Sequence, residues 1–304
     1  MTWTQTPWAS STRRMRRDYV KYVENIYQEW IAIGGEKSAV LPETFFHRAL
    51  TSEEPPATLS PIAKAGLYCF DLSGPITAET YRSAVASVLV ALSAAKALLS
   101  EKALTRSNGV FALTRPPGHH AGVAVSGGYC FFNNAAVATK YLLHSSDDTT
   151  VTILDIDYHH GNGTQQIFYS EPRVLYVSLH ADGDYPYFTG STKERGAGEG
   201  VGFNHNLPLP RNTTGDDLYC ETLLKAVAFI RVFDPAYLIV SLGVDTAADD
   251  PICDFLLSRE CYTRIGEIIA SVKKPTLFTM EGGYHLESIG GHVSGVLVGF
   301  NGAH

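Results

Sequence analysis

The chain has 304 residues, 45% of them hydrophobic and 18% charged, with a formal net charge of −7. That length supports a sizeable core, and that balance excludes an intrinsically disordered chain. The negative charge argues against a non-specific nucleic-acid binder: the basic cluster Arg13, Arg14, Arg16 and Arg17 reads as the solvated start of a helix. Five cysteines (Cys69, Cys130, Cys220, Cys253, Cys261) form no Cys-x-x-Cys pair and are odd in number, so free thiols in a reducing, cytoplasmic compartment are expected. No signal-peptide pattern opens the chain. The longest apolar run, Ala84–Leu99, is interrupted by Ser87, Ser93 and Lys96 and reads as a buried helix rather than a membrane span.

Residues 1–18 lack apolar periodicity and read as a loose lead-in to a domain over 19–304. From Tyr19 to Ile33, apolar residues step by three and four (Tyr19, Tyr22, Val23, Ile26, Tyr27, Trp30), predicting an amphipathic helix that Gly34-Gly35 ends. Residues 36–63, with Pro42, Pro55, Pro56 and Pro61, predict a long loop, often a functional rim or an oligomer contact. Helices follow near 63–69 and 78–101. After Gly109 the pattern alternates: strand Val110–Thr114, helix 133–144, strand 151–155, helix 164–169 and strand 174–180. An irregular, Gly- and aromatic-rich stretch over 181–202 leads to a short strand at His205–Leu207, helix 216–232, strand 237–242, helix 259–271, strand 276–280 and helix 287–299. Strand–helix alternation of this kind predicts parallel βαβ units in one doubly wound α/β sheet.

The polar residues cluster at strand ends. Val151–Leu154 is an apolar strand, followed by Asp155, Asp157 and His159 at alternate positions. Side chains two apart in extended chain share a face, so Asp157 and His159 can converge on one point. Val110–Thr114 is followed by Arg115-Pro116-Pro117-Gly118-His119-His120, Tyr237–Leu242 by Gly243-Val244-Asp245, and Pro275–Met280 by Glu281-Gly282-Gly283-Tyr284. If these strands are parallel neighbours, all these groups meet beyond the carboxyl ends of one sheet, where α/β sheets place their chemistry. Asp157, His159 and Asp245 supply three mixed oxygen and nitrogen ligands, a set suited to zinc or iron rather than calcium. Three ligands leave a fourth position for water or substrate, the mark of a catalytic zinc. His119 and His120 offer a general acid and base, with Asp155 and Asn162 available to set their tautomers. Tyr284 offers a hydrogen bond to an oxyanion. Together these groups suit amide hydrolysis.

The stretches Arg115–Gly122, Gly127–Ala136, Asp155–Gly163 and Glu281–Tyr284 resemble the zinc-dependent histone deacetylase superfamily, from about Ile62 to the end of the chain. Ser241–Thr246, Asp250-Pro251-Ile252 and Phe255–Leu257 are most similar to its bacterial acetylpolyamine amidohydrolases and class II deacetylase-like amidohydrolases. The resemblance implies an arginase/deacetylase-like parallel sheet flanked by helices, and a hydrolase cleaving acetyl or acyl amides of lysine, polyamine or a similar small amine. It implies one zinc ion on Asp157, His159 and Asp245, with His120 as principal proton shuttle, His119 as its electrostatic partner and Tyr284 at the transition state. Asn162 stands where some members carry Asp, which implies a less strongly cationic His120. Gly128, Tyr129 and Phe188 match the wall of the family's acyl-lysine tunnel. Structural potassium is implied on the carbonyls of Asp155, Asp157, His159 and Leu179 with the Asp155 carboxylate and the Ser178 hydroxyl, and on the carbonyls of Phe168, Val174 and Phe203. The segment 19–61 resembles an insertion used to dimerise and narrow the mouth, which implies a homodimer without nucleic-acid or membrane partners.

The chain departs from the family in two places. Acidic residues that polyamine-selective members place at the mouth correspond to Ile62 and Ser73, leaving Glu53, Glu54 or Asp71 as substitutes. Six strands are counted where the family has eight, which puts Val110–Thr114 at an exposed sheet edge, prone to edge association. Two other readings share this scaffold: a binuclear manganese ureohydrolase, which needs further Asp and His ligands where this chain has Thr246-Ala247-Ala248 after Asp245, with Asp249 and Asp250 four and five residues on, and a non-catalytic acyl-group binder.

Overall fold

A computed structural model of the chain describes residues 12–50, 55, 58–100 and 109–303. Three helices come first: α1 (Thr12–Ala32), α2 (Pro61–Leu67) and α3 (Thr80–Leu98). The order then runs β1 (Gly109–Ala112), α4 (Asn134–Leu143), β2 (Val151–Asp155), α5 (Asn162–Phe168), β3 (Val174–Ala181), β4 (Asn204–Leu209), α6 (Asp216–Phe233), β5 (Tyr237–Leu242), α7 (Arg259–Ala270), β6 (Thr276–Met280) and α8 (Ile289–Gly302). Among the described residues the strands form one six-stranded sheet in the order β1-β6-β5-β2-β3-β4, parallel at every pair. The strand alternation read from the sequence is present, with boundaries moved by a few residues. The expected edge strand lies at an edge, with β6 as its neighbour.

The topology locates the site. From β2 the chain steps outward to β3 and β4, then returns to the other side of β2 as β5 and steps outward again to β6. The crevice between β2 and β5 is therefore the topological switch point, where α/β sheets bind ligands. Asp155 at the end of β2 lies in register with Ser178 of β3 and Ser241 of β5.

Each buried strand alternates between two cores, as a pleat of period two requires. Leu154, Leu175, Val177, Leu238, Val240 and Phe278 face one side and pack with Leu223, Ile265 and Val296 of α6, α7 and α8. Ile153, Tyr176, Ile239 and Leu277 face the other and pack with Ala91, Ala95 and Leu142 of α3 and α4. A third cluster gathers Tyr19, Tyr22, Val23 and Ile26 of α1 around Tyr68, Ile76 and Phe131, with Ile62 half-buried against it. The Tyr19 hydroxyl donates to the Phe131 carbonyl at 2.5 Å, which ties α1 to the loop before α4.

One sequence expectation needs correction here. Helix α1 begins at Thr12, so residues 12–18 belong to it rather than to a loose lead-in. Arginine has good intrinsic helix propensity, so a helix can extend over residues that show no apolar period. Helix α3 is, among the described residues, the one helix long and apolar enough to cross a membrane. Its Ala84, Ala91 and Ala95 are nevertheless buried in the protein, and its Ser87 hydroxyl donates to the Pro116 carbonyl at 2.9 Å.

Candidate active site

Four strand ends that are neighbours in the sheet, β1, β6, β5 and β2, deliver the polar residues to one place. Past β2, the His159 ring sits with Nδ1 3.1 Å from Asp157 Oδ1 and 3.1 Å from Asp245 Oδ2. Backbone donors hold these carboxylates: His159 N to Asp157 Oδ1 at 2.9 Å, Gly282 N to Asp157 Oδ2 at 2.7 Å and Tyr158 N to Asp245 Oδ1 at 2.9 Å. Gly282 has to be glycine for packing reasons. A Cβ there would lie 2.4 Å from Asp245 Oδ2 and 2.6 Å from Asp157 Oδ2.

The arrangement fits a bound divalent cation on three grounds. Donors at about 2.0–2.1 Å around one tetrahedral ion stand roughly 3.3 Å apart, close to the separations seen here. The His159 Nδ1–H bonds Asp157 Oδ1, which leaves the fully buried Asp245 Oδ2 with no hydrogen-bond partner among the described residues. Asp155, Asp157, Asp245 and Glu281 are each no more than 2% exposed, and that much buried negative charge needs a cation. The same surplus shows in the imidazoles. Burial opposes charge on His159, yet Asp157 and Asp245 hold it up at about 10. Burial, then the Asp157 charge, push Asp245 up to about 6. Cys253 Sγ also comes near, 3.9 Å from His159 Nε2. It approaches the ring from the Nε2 side rather than Nδ1, and the donor atoms of His159, Asp245 and Cys253 lie within 4.8 Å of one another.

The two histidines after β1 share a loop but not an environment. His119 Nδ1 lies 3.2 Å from Asp155 Oδ2, and Asp155 Oδ2 also accepts the Tyr176 hydroxyl at 3.0 Å. His120 Nδ1 lies 2.8 Å from Asn162 Oδ1 at the start of α5. The rings are 4.0 Å apart between centroids. Burial disfavours charge on both; Asp157 and Asp155 hold His119 up at about 10, while the neighbouring His119 and His159 push His120 further down. A neutral His120 donating through Nδ1 to an amide oxygen presents a free lone pair at Nε2. The loop itself is anchored by Glu281, whose Oε2 accepts Gly118 N at 2.7 Å and His119 N at 3.1 Å. Burial raises the Glu281 carboxyl to about 7.

Tyr284 follows β6, and its backbone N–H donates to Asp250 Oδ2 at 2.8 Å. Its ring lies 5.9 Å from that of Tyr129. Asp250 is thereby turned to Tyr284, and Asp249 lies 3.4 Å from His285 Nδ1, so neither serves as a second-metal ligand in this arrangement. Of the expected tunnel residues, Gly128 has φ +54° and packs beside His120, and Tyr129 is 44% exposed. Phe188, on the loop after β3, is 93% exposed. The ring that closes on the histidines from that loop is Tyr185, 4.9 Å from His120 and 5.8 Å from His159. Its only sequence signal is membership of the aromatic stretch Tyr185-Pro186-Tyr187-Phe188, which does not say which ring turns inward. The expected potassium residues lie where chain order puts them: Ser178 is buried in register beside Asp155, with its hydroxyl 2.9 Å from His180 Nδ1. The carbonyls of Phe168 and Phe203 accept the amides of Glu171 and Tyr176. Glu53 and Glu54 lie outside the described residues.

A parallel α/β sheet that carries two carboxylates and an imidazole at its switch point, facing paired histidines and a tyrosine, defines a metal-dependent hydrolase. Residues 13–299 match the histone deacetylase domain, and the chain belongs to that family. It is 44% identical over 287 residues to acetylpolyamine amidohydrolase 1 of Pseudomonas aeruginosa, covering 94% of this chain and 80% of that protein. It is 41% identical over 186 residues to histone deacetylase 8 of Arabidopsis thaliana, covering 58% of this chain and 49% of that one. The crystal structure of acetylpolyamine aminohydrolase from Burkholderia pseudomallei superposes with a TM-score of 0.86 at 35% identity, covering 94% of this chain and 81% of that one. The chain is a deacetylase-type amidohydrolase with the arginase/deacetylase fold.

Proposed function

We propose that the protein is a zinc-dependent deacetylase that hydrolyses the acetyl amide of a small amine, an acetylated polyamine or an acetyl-lysine side chain. The observation that carries this is the convergence of Asp157 Oδ1 and Asp245 Oδ2 on His159 Nδ1, 3.1 Å from each, beside the His119–His120 pair. Asp157, His159 and Asp245 would hold the zinc, which when bound supplies Lewis acidity to the acyl carbonyl and to the attacking water. His120 Nε2 takes the proton from the water as its oxygen adds to the acyl carbon. Asn162 holds His120 in the tautomer that leaves Nε2 free. The Tyr284 hydroxyl donates to the oxyanion that forms on the former carbonyl. The carbon–nitrogen bond then breaks, and the leaving amine receives its proton from the imidazole pair. Asp155 steadies His119 as the charged member of that pair. Structural potassium on Asp155, Ser178, Leu179 and the neighbouring carbonyls, and on Phe168, Val174 and Phe203, fits the burial of Asp155. The five free cysteines accord with a cytoplasmic setting. The 19–61 segment leaves Val20, Ile33, Leu41 and Phe45 exposed, which accords with a homodimer contact.

The test uses chelator-stripped protein reloaded with zinc, assayed on a fluorogenic acetyl-lysine amide and on N-acetylputrescine. Turnover restored with one zinc per chain is the expected result. Folded, zinc-loaded protein that cleaves no acyl amide would overturn the reading in favour of an acyl-group binder, and two bound manganese ions would overturn it in favour of a ureohydrolase.

A further inference from the structure

The loop after α2 places Asp71, half-buried, against two parts of the site that are distant in sequence. Asp71 Oδ1 accepts the Ser73 amide at 3.0 Å. Asp71 Oδ2 accepts the Gly128 amide at 3.0 Å and the Tyr185 hydroxyl. Both lone pairs of that oxygen are thus engaged. Tyr185 packs edge-on against His120 and His159, and its ring also lies 6.4 Å from Phe70. Gly128 sits so close that a Cβ there would be 2.3 Å from His120 Cδ2 and 2.8 Å from the Tyr185 hydroxyl. One carboxylate oxygen therefore joins the two walls that flank the His120 ring.

We propose that Asp71 is a positioning residue that clamps Gly128 and Tyr185 against His120, and that it is not a subsite for a substrate ammonium. A mouth carboxylate is the natural partner of a cationic amine, but Asp71 Oδ2 already carries its hydrogen bonds. The clamp instead serves any acyl amide, because it orders the ring that moves the proton. The kinetic consequence rests on the deacetylase reading; the structural one does not.

The kinetic test compares Asp71→Asn with wild type on N-acetylputrescine, a cation, and N-butylacetamide, a neutral amide of similar length. The clamp predicts that kcat falls about tenfold or more on both, with KM little changed. An ammonium subsite predicts a raised KM on the cation alone, and that result would overturn the proposal, as would no loss on either. Tyr185→Phe keeps the ring and removes the hydroxyl. Its loss should be similar in kind, and the double variant Asp71→Asn/Tyr185→Phe should be little worse than Asp71→Asn; fully additive losses would count against a shared bond. Amide hydrogen exchange on the folded proteins needs no turnover. Gly128 N–H should exchange about tenfold faster in Asp71→Asn, and an unchanged rate would refute the clamp even if the wild type cleaved neither substrate.

Discussion

The floor of the site and its mouth are built on different physics. The floor residues follow strand ends, with the carboxylates of Asp155, Asp157 and Asp245 fully buried and each ligand carboxylate held by backbone amides such as Gly282 N and Tyr158 N. The mouth is built on loops, and its aromatic and aliphatic side chains stand in solvent: Leu72 is 60% exposed, Tyr187 62% and Phe188 93%. Rigid strands hold reacting groups to the tolerance that chemistry needs, while loops can vary without unfolding the sheet.

Four substitutions would sharpen or break that contrast, from the largest expected effect to the smallest. Asp245→Ala should abolish zinc retention and lower kcat/KM by about 10^3-fold or more, measured by metal analysis and turnover together. Retained metal with near-normal turnover would show that the floor is elsewhere. Tyr284→Phe should cost about 10^2- to 10^3-fold in kcat with zinc content unchanged; a change confined to KM would make Tyr284 a binding group instead. Asn162→Ala removes the acceptor for His120 Nδ1 and should lower kcat about tenfold while the protein stays folded and metal-loaded. Phe188→Ala at the mouth should change stability by less than about 0.5 kcal/mol in denaturant unfolding, because almost none of the ring is buried. A larger loss would mean that the ring packs against something in solution.

Much of the floor was legible because it obeys local rules. An apolar run followed by Asp155, Asp157 and His159 at alternate positions reads as a strand that ends in converging ligands, and the strand occupies Val151–Asp155. The mouth was less legible. Of the aromatic stretch Tyr185–Phe188, the ring that packs on the histidines is Tyr185, and no local pattern marks it out. Asp71 read as a candidate substitute for the mouth carboxylates because nothing local shows the partners of its Oδ2, which lie 57 and 114 residues away.

The sequence by itself determined the alternation of strands and helices, the candidate site residues and the family, since hydrophobic period and side-chain chemistry are local properties of the chain. Only the tertiary structure decided the pairing of His119 with Asp155, of His120 with Asn162, and of Asp71 with Gly128 and Tyr185. Those pairings arise where the parallel sheet brings loops from different strand ends together, and a buried polar group takes the partner the fold puts within reach.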